Sequence, residues 1–346
     1  ATLRSLAARG RKGFYHGQVA RQLVEGVRAA GGIWTLADLR DYETRLREPI
    51  TGTWRGWRIT TAAPPSSGGI ALLTMLNILE HDDLARLPAW QRVHLIVEAM
   101  RRAYRDRARY LGDPDFVSIP MARLIGKAYA KELRAGIDMN EATPSALLPG
   151  PGEAGHHTTH FSILDREGNR VAATLSINYP FGSGFVAPGT GVLLNDEMDD
   201  FSAKPGVPNV YGLVGAEANA IAPGKRMLSS MTPTFIESDR TLALFGTPGG
   251  SRIITMVLLG ILSLEEGAGA GEVVARPRFH HQYLPDVIQY EPGAIGADVR
   301  TRLEAIGHRL AEKDPWGNMQ IVVQDRNTGG MTAASDPRGE GQAQVR

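Results

Sequence analysis

Three histidines and two threonines stand together at the head of GHHTTHFSILDREGNRVAATLSIN, residues 155–178. Three readings suit such a cluster. Grouped imidazoles bind transition metals, so His156, His157 and His160, with His280 and His281 of a later HH pair, form one candidate set. Adjacent histidines on a strand do not point readily into one site, however, and no carboxylate-bearing helix motif accompanies them. A solvated loop is the second reading. The third centres on Thr158, which follows a Pro/Gly-rich stretch and precedes a strand pattern. If the bond from His157 to Thr158 were cut, Thr158 would hold a free α-amine beside its own hydroxyl, the pair that activates threonine nucleophiles. An α-amine titrates near pH ~8 and can act as a base at neutrality.

Other segments offer chemistry that is ambiguous taken singly. NDEMDD, residues 195–200, places Glu197 and Asp200 in an acidic run, which alone reads as solvent-facing or calcium-binding. Ser229 and Ser230 read as a turn, and Gly249 and Gly250 in TPGGS as a tight turn before a helix. APPSSGG, residues 63–69, resembles an anion-binding helix start but lacks the lysine of a phosphate loop, so packing and capping is its simpler role.

These residues need elements to position them. Apolar spacing predicts helices over 17–30, 70–79, 88–111, 127–137, 252–263 and 297–306. Thr35 with Asp38 three residues on predicts a capped short helix. The arginine-rich face of 88–111 reads as solvated. Strands are expected at 49–53, 57–61, 191–194, 234–236, 242–246 and 321–324. A hairpin is expected over 159–177, turning at REGN. Residues 140–155, rich in Pro, Gly and Ala, read as a linker, after which strand patterns dominate.

Composition narrows the function class. The 346 residues are 42% hydrophobic and 22% charged, enough to bury a sizeable core. Lys+Arg 38 against Asp+Glu 37 leaves +1 with no dense basic run, which argues against a nucleic-acid partner. No apolar run is long enough for a membrane span. With Cys 0, disulfides and thiolate chemistry are excluded. The opening ATLRSLAARGRKGFYHG has neither an initiator Met nor an apolar signal core, so a mature or truncated form is expected.

Taken together, TTHFSILDREGNRVAATLSIN, LLNDEMDDFSAKPGVPNVYGLVG, KRMLSSMTPT, GTPGGSRIIT and PRFHHQYLPD resemble the γ-glutamyltranspeptidase family, and PPSSGG and YLGDPDF resemble its large subunit. The resemblance covers essentially the whole chain. It implies an α+β, four-layer αββα sandwich, the N-terminal nucleophile hydrolase fold, with the N-terminal part of the family domain missing. It implies self-cleavage between His157 and Thr158 into residues 1–157, the remainder of the large subunit, and 158–346, the small catalytic subunit, both within one structural domain.

The resemblance also implies roles. Thr158 would be the nucleophile in self-cleavage and in attack on a γ-glutamyl donor such as glutathione, passing the γ-glutamyl group to water or to amino acid or peptide acceptors. Ser176, where the family commonly has threonine, and Asn178 would orient it. Glu197 and Asp200 would grip the donor's α-ammonium, Ser229 and Ser230 its α-carboxylate. Gly249 and Gly250 would supply oxyanion amides, and Tyr211 would cover the donor as a lid. No cofactor is implied, and by resemblance the compartment is periplasmic or extracellular. The family's carboxylate-binding arginine has no match here. A glutaryl or cephalosporin acylase of the same fold, a non-catalytic remnant and the histidine metal site remain as alternatives.

Overall fold

Alternating apolar residues at 59, 236, 243, 245 and 321 build a sheet that helices cover on one face, and the chain's course follows from that. A computed structural model describes residues 1–145 and 158–346. The expected linker therefore lies outside the described residues from 146 to 155, as do His156 and His157.

In chain order the first elements are α1 (Thr2–Arg9), α2 (Lys12–Tyr15), α3 (Gly17–Ala29), α4 (Leu36–Arg40), β1 (Ile50–Trp54) and β2 (Trp57–Thr61). Then come α5 (Gly68–Leu79), α6 (Ala89–Tyr110), α7 (Met121–Leu124) and α8 (Lys127–Ala135). The second half holds β3 (Thr158–Leu164), β4 (Arg170–Ser176), β5 (Val186–Ala187), β6 (Val192–Leu193), β7 (Thr234–Glu237) and β8 (Thr241–Gly246). It ends with α9 (Ile253–Glu265), α10 (Ala270–Ala275), β9 (Phe279–His280), β10 (Ile288–Tyr290), α11 (Ala297–Ala305), β11 (Leu310–Glu312), β12 (Gln320–Asp325) and β13 (Met331–Ser335).

Two compact units form. One comprises residues 1–47 and 177–197. Its core sets Val19, Leu23 and Val24 of α3 against Leu39 and Ala187. Thr35 and Asp38 make the expected capping box at the head of α4.

The other unit, residues 48–176 and 198–346, holds the main sheet in the order β1-β2-β7-β8-β12-β13. All of its neighbours are antiparallel. The β2–β7 pairing, Arg58 with Glu237 through Thr61 with Thr234, joins a strand that precedes residues 146–157 to one that follows them. α5 is buried along its whole length, packed against α6, α8 and α9. A smaller sheet, β11-β10-β9, and the β3–β4 hairpin complete the unit.

The hairpin packs on β8 and β12. Its register pairs Thr158 with Ser176, His160 with Thr174 and Phe161 with Ala173. The turn closes through Asn169 N–H to Asp165 Oδ1 at 2.7 Å, with Gly168 in the left-handed region. Helices, main sheet and hairpin thus supply three layers of the expected sandwich. On the hairpin's other face Phe161, Ile163, Val171 and Leu175 are exposed, and no fourth helical layer covers them among the described residues.

One expectation fails on α6. Its arginines were read as a solvated face, yet Arg101, Arg102 and Arg107 are buried, with Glu98 and Asp106. Glu98 pairs with both Arg101 and Arg102, and Arg101 also reaches Asp286. Burial of these charges is offset partly by pairing three and four residues apart on α6 itself and partly by the distant Asp286, which periodicity cannot reveal.

Candidate active site

Strand register creates the first feature. Thr158 and Ser176 lie directly opposite each other, and Thr158 Oγ1 donates to Ser176 Oγ at 3.3 Å. Both are partly buried. On the same face the His160 ring lies against Gly246 of β8, where a Cβ would come within 2.4 Å of its Cε1. Its two nitrogens bond Thr174 Oγ1 at 2.8 Å and Ser162 Oγ at 3.0 Å. Burial drops its pKa to about 4, so the ring is a neutral packing element beside the hydroxyl pair.

A second cluster joins two serine motifs. Ser229 N–H donates to Pro65 O, and Ser67 N–H and Oγ both donate to Ser229 O, at 2.8, 2.8 and 2.7 Å. Ser66 Oγ donates to Met231 O and accepts from Gly68 N–H. The serines of PPSSGG therefore dock the 229–231 loop rather than cap α5 through Ser67, whose side chain makes no cap bond. Arg107 reaches into this junction, donating to Ser67 Oγ at 2.9 Å and Ser230 Oγ at 3.2 Å. Burial holds its guanidinium below the ordinary arginine value, while the fields of Tyr104 and Asp200 pull the other way. Arg107 and Asp200 line one small polar cavity with Ser202, Asn209 and Asn219. Sequence reasoning missed Arg107 because it sat within a run read as solvated.

The glycine turn is the third feature. Gly249 has φ 144° and Gly250 φ 56°, and the single 3-10 turn Gly250–Arg252 leads into α9. Backbone amides at such a helix entrance present positive partial charge. A Cβ on Gly250 would lie 2.5 Å from Tyr211 Cε1, so the tyrosine ring rests directly on the turn. Tyr211 is held there from both sides of its backbone. Its N–H donates to Asn209 Oδ1 at 3.0 Å, and its carbonyl accepts from Gln282 Nε2 at 2.8 Å. Gln282 Oε1 in turn bonds Ser251 Oγ at 2.7 Å and His280 Nε2 at 2.8 Å. Gln282 lay unassigned in the segment PRFHHQYLPD, although a buried amide with every group satisfied is a rigid positioning device.

Asn178 and Glu197 belong to the smaller unit. Asn178 takes the left-handed conformation, φ 68°, which asparagine tolerates, and its Nδ2 donates to Asp196 O at 3.3 Å. Tyr179 N–H donates to Asp196 Oδ1 at 3.0 Å, fixing the turn after β4. Glu197 opens the 3-10 turn Glu197–Asp200, its N–H bound to Asn195 Oδ1. Asp199 Oδ2 of that turn accepts from Val210 N–H at 3.1 Å, tying it to the loop that carries Tyr211.

The remaining histidines have separate partners. His281 accepts from Tyr283 N–H at Nδ1 and bonds Asp286 through Nε2 at 3.2 Å; burial takes its pKa to about 4. His280 lies between Thr255 Oγ1 and Gln282. Among the described residues the histidine–acid grouping close enough for a metal is a different one, His94, Glu98 and His308. There Glu98 is already engaged by two arginines, and the two rings bond each other at 2.7 Å.

The γ-glutamyltranspeptidase family model matches residues 1–345. The glutathione hydrolase proenzyme of Pseudomonas sp. (strain A14) is 46% identical over 351 residues, covering 97% of this chain and 61% of that protein. That of Escherichia coli (strain K12) is 45% identical over 345 residues, covering 97% and 59%. The crystal structure of cephalosporin acylase from Bacillus halodurans superposes with TM-score 0.83 at 28% identity, over 99% of this chain and 61% of that one. The chain thus spans about three fifths of the length of these relatives. With the hydroxyl pair, docked serine loops and tyrosine-covered glycine turn in a fold shared with these proteins, the chain belongs to the γ-glutamyltranspeptidase family.

Proposed function

We propose that the chain is the nucleophile-bearing part of a self-processing γ-glutamyltransferase and glutathione hydrolase. The observation that carries this reading is the opposed pair Thr158 and Ser176 at 3.3 Å, at the first described residue after the 146–157 segment. Family membership raises that pair above an ordinary strand contact.

In the proposed sequence Thr158 Oγ attacks the His157 carbonyl carbon, the peptide C–N bond breaks and frees the α-amine of Thr158, and water then hydrolyses the resulting ester, releasing the His157 carboxylate and restoring the Thr158 hydroxyl. That amine then accepts the hydroxyl proton as Oγ attacks the γ-glutamyl carbonyl of a donor such as glutathione. Amides of Gly249 and Gly250 stabilise the oxyanion. Collapse expels the donor's amine, which takes the proton from the α-ammonium. Water or the amine of an amino acid or peptide then attacks the γ-glutamyl ester, and Thr158 is restored.

Ser176 and Asn178 orient the nucleophile. Ser229 and Ser230 receive the α-carboxylate, with Arg107 fixing Ser230. Glu197 and Asp200 receive the α-ammonium, and Tyr211 covers the donor. The products, residues 1–157 and 158–346, stay together as a heterodimer, supported by the β2–β7 ladder. A periplasmic or extracellular location belongs to the same reading.

Denaturing electrophoresis with N-terminal sequencing tests it: two bands are expected, the smaller beginning at Thr158, and Thr158→Ala should stay as one. A smaller band with another first residue refutes the nucleophile assignment. The fold likeness to a cephalosporin acylase supports a second reading, acylase activity. Faster hydrolysis of a glutaryl amide than of a γ-glutamyl anilide would select it.

A further inference from the structure

A cavity of about 330 Å³ opens among α6, α9 and α10. Its rim is charged by Arg92, Glu266 and Arg276, and its floor is apolar, with Met256, Leu259 and Val273. The size falls within the range of small-ligand pockets, about 300–1,000 Å³, and an apolar floor with a few polar groups is their usual make-up.

The rim has one carboxylate for two guanidinium groups. Glu266 is bonded by Arg92 and, at 2.6 Å, by Arg276. The neighbouring Glu265 is engaged by Arg55 at 2.7 Å. Arg278 also reaches the cavity but is committed to Asp336 and to the carbonyls of Val274 and Trp316. Arg92 is held below its ordinary value by burial and then by the like charge of Arg276, against a smaller opposing pull from Glu265. A second anion would relieve that repulsion.

The floor makes the cavity more than a surface dimple. Met256 lines it, and the same side chain lies under the glycine turn: a Cβ on Gly249 would meet Met256 Cε at 2.4 Å, and one on Gly317 would meet its Sδ at 2.5 Å. Thr247 Oγ1 lies 3.9 Å from the sulfur. Methionine is flexible, and its end cannot move far without meeting Gly249.

We propose that this cavity binds a small amphipathic carboxylate, its headgroup between Arg92 and Arg276 and its apolar tail on Met256, so that occupancy is felt at Gly249. The class follows from two cationic forks that match a carboxylate's geometry above an apolar floor. The site stands independently of the proposed catalytic role of the glycine turn.

Octanoate titrated into the full chain labelled at methionine methyls and backbone amides is the test, with 1-octanol as the uncharged control. The expected result is a saturable shift of the Met256 methyl, assigned with Met256→Leu, together with the Gly249 amide. Octanol and the Arg92→Gln/Arg276→Gln double variant should each bind at least tenfold more weakly. Val93→Phe, which fills the cavity from a partly exposed position on α6, should abolish the shift. It also supplies the decisive variant if the double change disturbs folding. The proposal is overturned if Met256 does not respond up to ~10 mM octanoate, a concentration at which a millimolar site would be about nine-tenths filled. Equal binding of octanol, or an unchanged shift in Val93→Phe, overturns it as well.

Discussion

Replacing Gly250 by alanine probes the glycine turn through two separable costs. Gly250 has φ 56°, and left-handed backbone costs an ordinary residue about 1–2 kcal/mol. The new methyl would lie 2.5, 2.7 and 3.1 Å from three ring atoms of Tyr211. Ordinary contact requires the ring to withdraw by roughly 1 Å, an overpacking cost of about 1–3 kcal/mol. The Tyr211 backbone cannot simply follow, since Asn209 and Gln282 hold its N–H and carbonyl. Gly250→Ala is therefore expected to destabilise the chain by roughly 2–5 kcal/mol in urea unfolding. On the proposed role of Gly250 as an oxyanion donor, tilting its amide should also lower kcat toward a γ-glutamyl anilide by about 10²–10³-fold. Tyr211→Ala removes the clash and leaves the backbone cost. The double variant should thus recover about 1–3 kcal/mol relative to the sum of the singles. Additivity of the two changes to within about 0.5 kcal/mol would refute the packing argument whether or not the chain turns over substrate.

Arg107→Met removes the donor to Ser67 and Ser230 while keeping bulk, and should raise KM for a γ-glutamyl anilide about tenfold or more, measured in steady state on cut enzyme. Asp200→Asn should raise KM for the same substrate by about tenfold and leave that for a glutaryl amide, which has no α-ammonium, nearly unchanged. Stability should fall with acid: His160 has a folded pKa of about 4 against 6.5, so the unfolded chain binds the proton first. Its contribution is complete above pH 6.5 and is lost as pH falls toward 4. By pH 5 this amounts to about 2 kcal/mol in urea unfolding, and His160→Gln should remove that component.

Elements with a long apolar run or a clear apolar spacing are legible in the sequence. The helix expected at 70–79 is Gly68–Leu79, that at 88–111 is Ala89–Tyr110, and the strand at 57–61 is Trp57–Thr61. The strand expected at 191–194 contracts to Val192–Leu193, and the pattern does not foresee β5, β9, β10, β11 or β13. These are short segments whose pairing is set by a neighbouring strand rather than by their own alternation. In the site, the Thr158–Ser176 pair follows from hairpin register, and register follows from the alternating pattern. Arg107 and Gln282 were illegible for a different reason. Each acts through groups far away in sequence, Ser230 and the Tyr211 carbonyl, and local pattern carries no record of them.

The charges of α6 show what such distant pairing does. Glu98 and Arg101 are nearly sealed from solvent, and each alone would carry a desolvation penalty of several kcal/mol. Their partners come from both sides of residues 146–157. Thr143 N–H donates to Glu98, Ser145 N–H donates to Asp286 Oδ2 at 2.8 Å, and Arg101 bonds both Ser145 and Asp286. Residues 143–145 are consequently fixed to α6 and to the loop after β9 just before the chain leaves the described structure. A cut between His157 and Thr158 would break none of these bonds, nor the β2–β7 ladder. Two products that share one buried ion network and one sheet need no covalent link to stay together, because separating them would expose those unpaired charges and strand edges.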